Sequence, residues 1–134
     1  MASTDLLLLQ EVEVMYIIPT IRRYLAVYMK ELGKSQKQTA ELLSLRESTV
    51  SQYINEKRGC KIILSNDVLM LIKESAGNIV NKFDTIKHMQ KILRIIRKTQ
   101  EICKIHKQVA EMPEHCNPIE LGCVYNDDLH EVRI

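Results

Sequence analysis

The chain has no tryptophan and a single phenylalanine, Phe83, in 134 residues. Its core must therefore be mostly aliphatic, and a hydrophobic fraction of 46% is enough to pack one. Long hydrophobic runs are also missing. The stretch Leu6 to Leu9 falls far short of the roughly 20 apolar residues that span a bilayer. It follows Asp5 with no basic segment before it, so it makes a poor export signal. No membrane association and a cytoplasmic location are expected. In that compartment the four cysteines are not expected to form structural disulfides, and no Cys-x-x-Cys pair is present. A glycine-rich phosphate loop, a paired-carboxylate signature and a nucleophile elbow are all absent, so nothing points to an enzyme. There are no internal repeats and no low-complexity segments.

The net charge is only +2, but it is unevenly placed. From Lys82 to Lys107 there are eight Lys or Arg against two acids; from Gln108 to Ile134 there are six acids against one Arg. A basic body with an acidic tail points modestly to nucleic acid. The basic run Lys87, Lys91, Arg94, Arg97, Lys98 and Lys104 reads first as a solvated helix face.

Apolar periodicity and breakers predict an all-α fold. A helix is expected from Glu11 to Leu32, kinked or broken near Ile18 because Pro19 cannot donate in the interior of a helix. Gly33 ends it. Ser35 with Gln38 three residues on forms a capping box for a helix over Gln36–Leu43, and a second helix follows over Glu47–Glu56. After a linker from Cys60 to Leu64, Ser65-Asn66-Asp67 starts a helix running to about Phe83. One continuous helix is then predicted from Thr85 to Val109. Its apolar stripe, including Ile86, Met89, Ile92, Ile96, Ile102 and Ile105, is wide enough to require a partner. Beyond Met112 the breakers Pro113, Pro118 and Gly122 mark a loop-rich tail. The expected organisation is a DNA-binding domain over 1–64, a helical dimerisation region over 65–109 and a cysteine-containing tail over 110–134.

The segment Lys34 to Gly59 carries the functional signal. In a helix–turn–helix over these residues, Ala40 lies where the helices cross, Leu45 fills the turn, and Val50, Tyr53 and Ile54 point inward. Glu47, Ser48, Ser51 and Gln52 are left outward, short or amide-bearing groups able to reach base edges in a major groove. Gln36 is placed to meet a phosphate at a helix N-terminus. Lys37, Arg46, Thr49, Asn55, Lys57 and Arg58 flank that face and are expected to contact the DNA beside it.

Ser35-Gln36, Ala40, Leu43, Val50-Ser51-Gln52-Tyr53 and Lys57-Arg58-Gly59 resemble the Cro/C1 (Xre-type) helix-turn-helix family, especially the N-terminal domains of archaeal regulators, over roughly residues 11 to 80. The resemblance implies a transcriptional regulator, usually dimeric, on double-stranded DNA. A homodimer implies a palindromic operator. Two positions depart from the family pattern: Ser44, where glycine commonly takes a left-handed turn and a side chain costs about 1 kcal/mol of strain, and Glu47, where glutamine often reads adenine. A carboxylate at that place can accept from cytosine instead.

Cys103, Cys116 and Cys123 fall within 21 residues at irregular spacing, with His106 and His115 near them. Three thiolates suit an iron–sulfur cluster or, as the alternative, zinc. The leading expectation is a homodimeric repressor with an iron–sulfur sensor. The alternatives are a zinc-stapled protein-interaction module without a DNA-binding role and, more weakly, a small thiol redox enzyme. Cys60 reads as a bystander.

Overall fold

The computed structural model describes residues 7–111, 116–117 and 120–122. Among the described residues every regular element is helical. The elements are α1 (Leu9–Val12), a π-helical turn (Glu13–Ile17), α2 (Ile18–Glu31), α3 (Gln36–Leu43), α4 (Glu47–Ile54), α5 (Asn66–Asn78), α6 (Lys82–Lys98) and α7 (Glu101–Val109).

The first helical path begins at Leu9, two residues before the expected start, because Glu11 reaches back to accept from the Leu8 amide at 3.0 Å. The helical path does not break at Pro19 but passes through the π turn just before it. A proline in a helix interior leaves the carbonyl four residues earlier without its donor. Here the preceding turn widens, and the Ile18 amide bonds to the Glu13 carbonyl five residues back. Proline then falls in the first turn of α2, where no donor is required. Such π turns collect at sites under local strain or function.

Helix α2 is the centre of the fold. Its Ile21, Leu25, Ala26 and Met29 are fully buried, and α3, α4 and α5 pack around it. Side chains outside the core tie the elements together. The Thr85 hydroxyl on α6 donates to the Leu42 carbonyl near the end of α3, at 2.8 Å. His88 meets Ser75 of α5 at 3.1 Å. Gln108 of α7 pairs with both backbone groups of Ile63, donating to its carbonyl at 2.9 Å and accepting from its amide at 2.8 Å. The linker between α4 and α5 is thereby held as a strand would be, by paired amides.

Two expected boundaries are corrected. The helix from Asp67 to Phe83 ends at Asn78. Asn81 then starts α6 by accepting from the Asp84 amide at 2.9 Å, while Asp84 accepts from the Val80 amide at 3.0 Å, a reciprocal cap that outcompetes helix continuation. The single helix expected from Thr85 to Val109 is two helices. Gln100 adopts φ +61° and reverses the chain, so that α7 packs on α6 and α1. The wide apolar stripe of that segment is covered within the chain: Ile92, Ile96, Ile102 and Ile105 are buried in a cluster that runs from Leu9 to Val109.

The basic run on α6 is solvent-facing as expected, with one exception in role. Arg97 pairs with Glu13 on the π turn, whose carboxylate is almost wholly buried. That ion pair joins α6 to the first helix.

Candidate nucleic-acid interface

Ser35 and Gln38 make the expected reciprocal cap of α3: the Ser35 hydroxyl accepts from the Gln38 amide at 3.1 Å and the Gln38 side chain accepts from the Ser35 amide at 2.9 Å. At its other end Ser44 sits at φ 55°, ψ 44°, the left-handed conformation expected there. The Leu45 amide folds back to the Ala40 carbonyl at 2.9 Å, which closes α3 and turns the chain into α4 within three residues. Ala40, Leu43, Val50 and Tyr53 are buried between α3, α4 and α2. Ile54, expected inside, is half-buried.

Helix α4 ends at Ile54 rather than Glu56. Glu56 takes φ +58°, and the Lys57 amide bonds to the Gln52 carbonyl at 2.8 Å in a left-handed terminus. Of the residues expected on the reading face, Glu47, Ser48 and Gln52 are exposed, while Thr49 and Ser51 are half-buried. Asn55 is exposed and donates to the Ser51 hydroxyl at 3.3 Å. Lys37, Arg46, Lys57 and Arg58 are exposed around this face. Glu47 sits in the first turn of α4, where the helix dipole favours a negative charge.

Gln36 has a more particular role than its place in the sequence suggests. Its side-chain amide donates to the Glu47 carbonyl at 2.9 Å, bridging the start of α3 to the start of α4. Gln36, Ser51 and Asn55 line one hollow of about 330 Å³ together with Lys30 and Lys34. Sequence spacing gives no sign of these two lysines. They are four residues apart at the end of α2 and just before Ser35, but only the packing of α2 on α3 and α4 places them beside Ser51 and Asn55.

Cys60, Cys103 and Cys116 fall among the described residues. Cys60 is exposed, its thiol directed at the Glu56 and Arg58 carbonyls at 3.5 and 3.4 Å. Cys103 is half-buried on α7 and packs against the core cluster; Cys116 is half-buried. Cys123 lies outside the described residues, as do His115 and most of the tail. Among the described residues no group of three His, Cys, Asp or Glu side chains comes together to hold a metal ion. One turn beyond Cys103, His106 is buried, and its Nε2 atom has no hydrogen-bond partner among the described residues. A buried imidazole nitrogen without a partner is costly and calls for an explanation.

No helix among the described residues is long and apolar enough to cross a membrane. The chain matches no protein-family model, and comparisons with curated proteins and with solved structures returned no significant similarity.

Proposed function

We propose that the chain is a sequence-specific transcriptional regulator of double-stranded DNA, with α3 and α4 as its helix-turn-helix and α4 as the reading helix. The observation that carries the reading is the composition of one face. Ser48 and Gln52 are exposed on α4, Ser51 and Asn55 share a hollow with Lys30 and Lys34, and Lys37, Arg46, Lys57 and Arg58 are exposed in the flanking segments. Short hydroxyls and amides flanked by cations suit base edges inside a track of phosphates. Glu47, an acid at the start of this face, favours cytosine as its contact.

In this reading the protein acts as a homodimer on a palindromic operator, with half-sites about 34 Å apart. Among the exposed apolar side chains, Val80, Phe83 and Ile86 at the α5–α6 junction are the surface proposed for a second copy. Repression is the proposed mode. Cys103, Cys116 and Cys123 are the proposed ligands of an iron–sulfur cluster, with zinc as the second choice. Three thiolates are the donor set that both prefer, and the unpartnered nitrogen of His106 supports a nitrogen donor beside Cys103. When bound, such a centre supplies a redox- or metal-responsive charge beside α7.

The test is selection of binding sites from random duplexes by the purified full chain. Enrichment of a palindrome with half-site centres one helical turn apart is expected. Enrichment of no sequence, with weak binding that vanishes at moderate salt, would remove the reading.

A further inference from the structure

A second hollow, of about 480 Å³, lies between the π turn, the start of α2 and the segment after α4. It is lined by Met15, Tyr16, Pro19 and the almost wholly buried Tyr53, with four cations at its rim, Arg22, Lys57, Arg58 and Lys61, two of which, Lys57 and Arg58, also flank the proposed reading helix. Among the described residues no carboxylate lines it. None of the four cations forms an ion pair with a described carboxylate. The contrast with the neighbouring Arg23 is instructive. That guanidinium donates to the Gly59 carbonyl at 3.2 Å, lies 4.0 Å from Glu56 and stacks 4.4 Å above the Tyr24 ring. Arg23 is a structural cation already satisfied; the rim cations have no such set of partners.

The hollow is also built to keep its shape. Gly59 has φ +73°, and a Cβ there would come within 2.6 Å of the Pro19 carbonyl oxygen. The segment bearing Lys57, Arg58 and Lys61 is thus pressed directly onto the start of α2. Like charges gathered on such a frame repel one another, and an anion relieves that repulsion at no cost in rearrangement. The volume falls in the usual range for small-molecule sites, roughly 300–1,000 Å³. Tyr16, which is half-buried, supplies aromatic surface beside the cations.

We propose that this hollow binds a small phosphorylated ligand with a planar ring, a nucleotide in chemical class. The phosphate meets Arg22, Lys57, Arg58 and Lys61, and the ring lies against Tyr16. The assignment does not rest on the DNA-binding reading. A backbone phosphate of DNA offers the same charge without a free ring, so the experiment separates the two sources.

Isothermal titration of the full chain with AMP, GMP, CMP and UMP is compared with adenosine, inorganic phosphate and a random-sequence duplex. The variants are Arg22→Gln and Lys61→Gln, neither of them on the face assigned to base reading. At least one nucleotide is expected to bind with Kd below about 1 mM. It should bind more tightly than inorganic phosphate, and adenosine should not bind. Each variant should weaken it about tenfold, as expected for removing one charge-assisted hydrogen bond, with an unchanged thermal melt. Lys61 is an exposed residue outside the helices, so its variant remains readable if Arg22→Gln disturbs folding. If no nucleotide binds while the variants weaken the duplex, the hollow seats DNA phosphate and the proposal fails. It fails equally if no nucleotide binds and the duplex is unaffected, or if nucleotide binding survives both substitutions.

Discussion

Three glycine-to-alanine substitutions, chemically identical, should give three different results. Gly77 lies inside α5 with open space around its missing Cβ. Alanine there adds helix propensity and removes unfolded-state entropy, so it should stabilise by about 0.5–1 kcal/mol. Gly33 ends α2 at φ +91°, again with nothing near its Cβ position. Alanine meets only backbone strain, about 1–2 kcal/mol. Gly59 carries the same kind of strain at φ +73° and adds a contact of 2.6 Å with the Pro19 carbonyl oxygen. That atom is backbone, held at the start of α2, and cannot swing aside as a side-chain tip would. The overlap should add roughly 1–3 kcal/mol, for a total of about 2–5 kcal/mol. Urea unfolding read by circular dichroism, with the slope checked for constancy, measures all three. The predicted order of stability is Gly77→Ala above the parent, then Gly33→Ala, then Gly59→Ala. Equal destabilisation at Gly59 and Gly33 would mean that the segment after α4 does not press on α2, and the frame of the second hollow would be wrong.

Arg97→Gln should cost about 2–3 kcal/mol, because it leaves the Glu13 carboxylate buried and unpaired. The double change with Glu13→Gln should cost less than the sum of the two single changes, and additivity in that cycle would dismiss the pair. Phe83→Asp should convert the dimer to a monomer in light scattering without lowering the melting temperature; a monomeric parent, or a dimeric variant, would remove the α5–α6 junction as the interface. Replacing Cys103, Cys116 and Cys123 together by serine should abolish bound iron or zinc in anaerobic preparations. Equal metal content in parent and variant would exclude the thiols as ligands.

Local rules account well for the segment from Ser35 to Tyr53. The capping box, the left-handed Ser44, the small Ala40 at the crossing and the buried Val50 and Tyr53 are each dictated by a few adjacent residues, and all are present. Legibility fails where distant contacts decide. Nothing around Gln100 announces a reversal: Gln and its neighbours are acceptable in a helix, and the turn is rewarded by contacts of α7 with α6, α1 and Ile63. Treating that segment as one helix leaves an apolar stripe in apparent need of a second chain. The folded chain covers most of it and exposes Phe83 and Ile86 instead. Arg97 looks like one more solvated cation in the sequence because its partner, Glu13, lies 84 residues away. The two hollows are invisible there for the same reason. Lys30, Lys34, Arg22 and Lys61 acquire their surroundings from helix packing, not from sequence spacing.

The central claim is that α4 reads DNA. Fluorescence anisotropy on the best duplex from the selection should compare the parent with the double change Ser51→Ala, Gln52→Ala and with Lys57→Gln, each over a range of salt. The double change should cost about 1–3 kcal/mol for each base edge it no longer reads, relax specificity at those positions and keep the parent's salt slope. Lys57→Gln should weaken every sequence alike and reduce that slope by about one. If the double change leaves both affinity and sequence preference as in the parent, α4 is not the reading helix.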